Sequence, residues 1–504
     1  DGLLVSAGDI EIGRSIASGR VENIADGTAT TAFMYNGFGE VEEVATTMGM
    51  TELFSLAVAY HPENRRITEK WETLTGSNNA YYRYGYDDLG RLTHVYDSTD
   101  MVLEEYQYDA NNRRVVGNGK TYVYDADDRL LAVGGGIDEV YYEYSEDGYM
   151  TTRQEGDSRT EYGYTSSGQL VSVEQFVYVE GEGEGVWIPD VTFPPITYHL
   201  DVLGRRIAKQ VGETIEEKYL WAGYNTTLLA VYDGSDTLIA RFDYGVGRMP
   251  VRMTQNSSTY YLAYDQVGSL RGVFNSSGSL VHEIRYDSWG NILFETQNIG
   301  LCVPFGFAGG LHDRDTDLVR FGFRDYDPET GRWVEVDPIG FGGGQCCLYN
   351  YSCGDPINWI DSTGLNKSSY NRMTMINRML EFEREFGTRA MLDQFSNTPL
   401  MPWNPTYSPM GENFNNKPIF SPATNNKIDL DWWFELARAG SDKGLFTYIS
   451  LKAVWIFSNV VTGQPFSLPF QDPTERNSYA AFHYQGFTSL ESLFPQEWVN
   501  SQIK

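Results

Sequence analysis

The chain has 504 residues, a formal net charge of −31 at pH 7 and a sequence pI near 4.5. So acidic a surface excludes nucleic-acid binding by the bulk of the chain, because phosphate contacts need clustered Lys and Arg. The length exceeds what one ordinary hydrophobic core holds, so internal repeats take precedence over a count of domains.

The chain starts at Asp1, and no basic stretch followed by an apolar run opens it. The sequence therefore predicts no signal peptide here and reads as beginning inside a longer protein. From about residue 30 one pattern recurs, Tyr-Asp-x-x-Gly-(Arg or polar)-Leu. Clear copies start at Tyr86, Tyr124, Tyr264 and Tyr286, and weaker ones at Tyr35, Tyr108, Tyr144, Tyr164, Leu200, Tyr232 and Phe274. An Asp after the aromatic accepts hydrogen bonds from backbone N–H groups just downstream and fixes a turn. The Gly supplies the positive φ that closes it. The flanks alternate, as in Tyr82-Arg83-Tyr84-Gly85-Tyr86, which is the period of a half-buried strand. Each copy predicts a strand, a tight turn and a returning strand. One hairpin is marginal alone, whereas stacked copies share a continuous core. The repeated Tyr and Asp residues are therefore scaffold, not catalysts.

Residues 304–365 change character. Phe323-Arg324-Asp325-Tyr326-Asp327-Pro328-Glu329-Thr330-Gly331-Arg332-Trp333 reads as strand, Pro-initiated turn and strand. Asp337-Pro338-Ile339-Gly340, Asp355-Pro356 and Asp361-Ser362-Thr363-Gly364-Leu365 are further turn signals. At residue 365 the composition shifts. Residues 1–365 carry 26 Lys+Arg and 56 Asp+Glu, whereas residues 366–504 carry 12 and 13. Cys302, Cys346, Cys347 and Cys353 all precede the shift. They form no CxxC pair and have no nearby His, so they read as small buried residues, with one disulfide possible in an oxidising compartment, and not as a zinc site.

The Tyr-Asp copies resemble the YD repeats of Rhs proteins, of the C subunits of insecticidal toxin complexes and of teneurins. Residues 304–365 resemble the Rhs repeat-associated core, with its ordered run R-x-Y-D-P-x-T-G-R-(F/W), D-P-I-G, N-x-Y and D-P-x-G-L. The resemblance implies an all-β chain, a spiralling antiparallel shell around an enclosed space, divided as repeats 1–303, core 304–365 and variable effector 366–504. It implies that the core cuts its own chain after Leu365, so that the effector starts at Asn366. The chemistry calls for an activated water and a proton donor for the leaving amine. Two close carboxylates sharing one proton supply both. Asp337 and Asp361, each opening a similar turn, are the candidates. Arg324, which matches the family's core arginine, would hold a carboxylate ionised or polarise the scissile carbonyl. Asp325 and Asp327 are weaker candidates. Ser362 replaces the usual Pro, and the stretch between the two motifs is about two residues longer than usual.

The resemblance further implies a bacterial, secreted or cell-surface toxin whose partners are its own enclosed C-terminal segment, a delivery machinery and an immunity protein. The alternative is an adhesive or structural surface protein. In the tail, residues 366–390 predict a helix, 394–428 are Pro- and Asn-rich, and 445–461 form an apolar run too short and interrupted to favour a bilayer span. A third reading makes the tail membrane-active. The tail's single His483, and Glu435, Arg438, Glu475 and Arg476, define no reaction, and no motif calls for a cofactor or a metal. The tail is expected inside the shell and only partly folded.

Overall fold

A computed structural model describes residues 3–365, except 136–138, 182–183, 224–225, 298–299 and 341–346, together with the backbone of Ser368–Ser369. These residues belong to one compact unit, Leu3–Arg378. Twenty-eight strands, from Ser6–Ala7 to Ile292–Glu295, form one antiparallel sheet. Each strand pairs with the next along the chain, except that Leu170–Val179 pairs with both Val186–Pro189 and Ile196–Leu200. The expected all-β shell is the architecture found. Among the described residues no α-helix occurs, only 3-10 turns such as Phe307–Gly309 and Ser352–Gly354.

The repeat physics is visible copy by copy. Asp87 Oδ1 accepts from the backbone N–H groups of Leu89 and Arg91 at 3.1 and 2.9 Å. Asp109, Asp125, Asp201, Asp265 and Asp287 each make the same pair of bonds. Ser145 and Thr165 substitute a hydroxyl in the weaker copies. The residue that closes the turn sits at positive φ, +79° at Gly90 and +63° at Asp128, where the repeat lacks its Gly. Side chains then alternate across the sheet: in Val140–Tyr144, Val140 and Tyr142 are buried while Tyr141 is exposed.

Two features escaped the sequence. A register shift falls just before the aromatic of each hairpin, for example between Gly85 and Tyr86 and between Ala263 and Tyr264. Such bulges add local twist, which lets a long sheet curl. The repeat tyrosines also do more than fill space. Tyr86 donates its hydroxyl to the Ile67 carbonyl at 2.8 Å, Tyr108 to Leu92, Tyr124 to Arg114 and Tyr164 to Met150. These four aromatics thus clamp their own hairpins to the preceding ones, whereas the Tyr264 and Tyr286 hydroxyls are buried without a hydrogen-bond partner among the described residues. Two further turns of the same kind, at Tyr60-His61 and Tyr96-Asp97, went unrecognised in the sequence.

The sheet returns over its own beginning. Arg252 pairs with Asp9 at 2.7 Å and with Asp26 at 2.9 Å, and buried Arg271 pairs with Glu72 at 2.7 Å. Leu53, Phe54 and Leu74 share one hydrophobic cluster with Met253, Leu262 and Phe274. Residues 304–365 pack onto the turn ends of the repeats. Val334 accepts from Met150 N at 2.9 Å, Tyr349 donates to the Gly148 carbonyl, and Asn358 joins Tyr86 and Ile67. Asp355 pairs with Arg66 and Glu329 with Arg153. This segment forms a plug gripped by hairpins spaced along the whole shell.

The helix expected over 366–390 needs correction at its described residues. Ser368–Ser369 form a strand paired with Trp359–Ile360, because those residues offer an open backbone edge that the apolar spacing of the tail did not reveal. The rest of the tail, with the expected apolar run and His483, lies outside the described residues, as does Cys346. Cys347 is buried and Cys302 half-buried, each a free thiol.

Candidate functional site

Strand Arg324–Asp327 lies in the middle of a small sheet within the plug, between Val319–Phe321 and Arg332–Trp333. An extended chain sends successive side chains to opposite faces. Arg324 therefore faces one way and Asp325 the other, and the structure gives them different partners.

Asp337 and Asp361 open the similar turns read from the sequence. Gly340 N donates to the Asp337 carbonyl at 2.9 Å, and Ile339 N to Asp337 Oδ1 at 3.0 Å. Gly364 N donates to the Asp361 carbonyl at 3.4 Å, and Leu365 N to Asp361 Oδ1 at 3.1 Å. Ser362 does not prevent this turn. Gly364 is required there: its φ is +69°, and a Cβ would lie 2.5 Å from the Phe321 carbonyl oxygen.

The guanidinium of Arg324 joins the two turns. Its Nη2 is 3.0 Å from Asp337 Oδ2 and 3.2 Å from Asp361 Oδ2. Its Nε donates to the Gly364 carbonyl at 2.5 Å and its Nη1 to the Leu348 carbonyl at 3.2 Å. The contact with the chain thus falls one residue before Leu365. Arg324 is 1% exposed, Asp361 0% and Asp337 6%. Arg324 lies over the Trp333 ring, 4.3 Å from its centroid. Trp333 belongs to a packed group with Phe321, Tyr326 and Tyr351, which keeps bulk water out.

Burial acts on both Arg324 and Asp337. Burial pulls the Arg324 pKa below the ordinary arginine value, against the opposing pull of Asp337, Asp361 and Glu335. Burial also pushes the Asp337 carboxyl above the usual range. The Arg324 charge opposes that rise, and the Asp361 charge adds to it. A cleft beside the site is lined by Arg324, Phe323 and Pro338 of the plug and by Tyr149 and Gln169 of the shell. Among the described residues no cluster of His, Cys, Asp and Glu is arranged to hold a metal ion.

The weaker candidates go elsewhere. Asp327 caps its own turn, accepting from Glu329 N at 2.9 Å and from Thr330 Oγ1 at 2.8 Å. Asp325 pairs with Arg206 at 3.1 Å and Arg320 at 2.5 Å. Glu335, two residues before Asp337, was not singled out in the sequence. It accepts from Asp325 N at 2.9 Å. Its position in the strand-to-turn passage, two residues from a candidate acid, was the one signal available.

Residues 1–341 match the family model for the Teneurin YD-shell. The chain is 28% identical to Teneurin-3 of Mus musculus over 312 residues, which is 60% of this chain and 11% of that protein. It is 29% identical to Teneurin-3 of Danio rerio over 336 residues, 64% of this chain and 12% of that protein. The chain therefore spans only about a tenth of the length of these relatives. Among solved structures, it is similar to a chain of the Tc holotoxin pore of Photorhabdus luminescens, with a TM-score of 0.43 and 15% identity, covering 72% of this chain and 21% of that one.

Proposed function

The chain belongs to the Teneurin YD-shell family, and we propose that its plug cuts the chain after Leu365 to free the segment that begins at Asn366. One observation carries the proposal: a single buried guanidinium holds Asp337, Asp361 and the Gly364 carbonyl at once. Asp361 binds Leu365 N and so fixes the approach of the bond. In the proposed reaction Asp361 takes a proton from a water entering by the cleft. The water oxygen attacks the Leu365 carbonyl, and Asp337 gives its proton to the departing Asn366 nitrogen. The products are a Leu365 carboxylate and an Asn366 amine. Holding the reacting groups in one frame removes on the order of 7–11 kcal/mol from such a barrier.

The motif run from Arg324 to Leu365, which resembles the Rhs repeat-associated core, supports the same reading. With it goes a secreted or cell-surface effector whose tail is enclosed by the shell, with delivery and immunity partners. Denaturing electrophoresis tests the chemistry. The unmutated chain should give two pieces, and Asp337→Asn and Asp361→Asn one each. Cutting by Asp337→Asn would refute the aspartate mechanism. Limited proteolysis of the native particle should spare residues 366–504, and their rapid digestion would refute enclosure.

A second reading is favoured by the teneurin relatives. In it the shell is a rigid surface module, and the Arg324 triad is an ionic lock that closes the plug without cutting. A single full-length species from the unmutated chain would select it.

A further inference from the structure

The plug strand that presents Arg324 on one face is anchored to the shell by its other face. Asp325 is fully buried and divides its carboxylate between two guanidinium groups. One belongs to Arg320 of the plug, at 2.5 Å. The other belongs to Arg206, on shell strand Arg206–Val211, at 3.1 Å. Arg206 is itself held from the shell side, with its Cζ 3.4 Å from the centroid of the Tyr198 ring. The Tyr198 hydroxyl donates to Asp313 of the plug at 2.6 Å, and Lys209 donates to the same carboxylate at 2.7 Å. Arg320 reaches the Gly204 carbonyl, in the turn just before the shell strand, at 3.3 Å. Two strands of the shell therefore fix where Asp325 sits, and Arg324 is the next residue along the same strand.

We propose that Arg206 is a positioning residue for cleavage, so that Arg324 meets Asp337 and Asp361 only when the shell strand Arg206–Val211 has docked on the plug. The inference rests on the cleavage reading above. Its physical basis is the rigidity of an extended strand: sliding Asp325 by about an ångström moves Arg324 by as much, and a displacement of that size costs on the order of a hundredfold in a positioned reaction. The device makes scission report that the part of the shell around Arg206–Val211 has folded and docked. A chain whose repeats there have folded wrongly would keep its tail attached.

The charges around Asp325 give the test its sign. The groups facing it are Arg206 from the shell strand, Arg320 from the neighbouring plug strand, Glu335 through the Asp325 backbone, and the Tyr164 and Tyr198 side chains. Burial and the Asp325 charge push the Glu335 carboxyl well above its usual range. Removing the Arg206 cation leaves the buried Asp325 carboxylate with one partner. The plug strand then has no ion pair to the shell strand at Asp325.

The experiment is pulse-labelled cell-free synthesis of the full chain, following the uncut fraction with time at pH 7.5, with thermal melting of each product to show that the shell has folded. Arg206→Met should cut at least tenfold more slowly than the unmutated chain. Arg206→Lys, which keeps a cation facing Asp325, should recover part of the rate. Asp325→Asn combined with Arg206→Met should stay as slow as Arg206→Met alone, because neither chain has the ion pair that holds the plug strand to the shell. An Arg206→Met chain without a cooperative melting transition, or an Arg206→Lys chain as slow as Arg206→Met, would show a general folding defect, and that result overturns the proposal. So does an Arg206→Met chain that cuts at the normal rate. Asp337→Asn in the same series separates the two claims. If the unmutated chain stays whole, the cleavage reading fails. If it cuts, Asp337→Asn does not, and Arg206→Met is normal, only the positioning role fails.

Discussion

Replacing Gly364 by Ala should slow cleavage far more than the same change at Gly340, although both residues close Asp-x-x-Gly turns at positive φ. Gly364 sits at φ +69° and Gly340 at +56°. The left-handed conformation costs an L-residue about 1–2 kcal/mol at either site. The surroundings then diverge. A Cβ on Gly364 would lie 2.5 Å from the Phe321 carbonyl oxygen and 2.9 Å from Arg324 N, whereas a Cβ on Gly340 meets nothing within 4 Å. The Gly364 backbone must therefore move, and the hydrogen bond that Arg324 Nε makes to its carbonyl is lost. A bond to a charged group contributes about 1.5–3 kcal/mol. Adding it to the strain gives about 2.5–5 kcal/mol at the site, or a rate lower by about 70-fold to several thousandfold. For Gly340→Ala the strain alone predicts about a 30-fold loss at most. The assay is the uncut fraction against time in pulse-labelled synthesis, with thermal melting of each product to show that the shell has folded. Cutting of Gly364→Ala at the normal rate, or equal slowing of the two variants, would refute the reasoning.

Tyr86→Phe removes the hydroxyl that bonds the Ile67 carbonyl and accepts from Asn358; it should cost about 1–2 kcal/mol, read as faster hydrogen exchange in strand Ile67–Leu74. Arg252→Met leaves the buried Asp26 carboxylate without its cation; limited proteolysis should then release the N-terminal strands before the rest of the shell. Asp355 is raised to about 6, chiefly by burial, with Asn358 and Arg66 opposing the rise. Because the folded value lies above the unfolded one, its contribution to stability is present near pH 4 and lost as pH rises through about 6. Asp355→Asn should gain thermal stability relative to the unmutated chain as pH rises across that window, and a constant difference between the two would contradict the assignment.

The repeat was legible because its turn chemistry is local: Asp87 and its counterparts bond to N–H groups two and four residues away, within the motif itself. The similar turns at Asp337 and Asp361 were legible for the same reason. Their meeting at Arg324 was accessible only through a family resemblance, because it joins residues 13 and 37 positions apart across plug packing that no periodicity encodes. The grip of the shell on the plug was hidden for a stronger version of that reason. Arg206 and Asp325 are separated by 119 residues, and each looks like an ordinary repeat or turn residue in isolation. The tyrosine clamps could have been anticipated. A purely apolar strand position gives no reason to prefer Tyr over Phe, so the recurrence of Tyr pointed to a use for the hydroxyl. The tail misled where it is described, because spacing that suits a helix does not reveal that Trp359–Ile360 offers a strand edge beside Ser368–Ser369.

The account turns on whether the chain divides itself at the Leu365–Asn366 bond. Intact-mass measurement of the purified, unmutated chain, denatured immediately before analysis, tests this most directly. The account predicts two species, one ending at Leu365 and one starting at Asn366, whose masses together exceed the uncut chain by one water. One species at the mass of the uncut chain would contradict it.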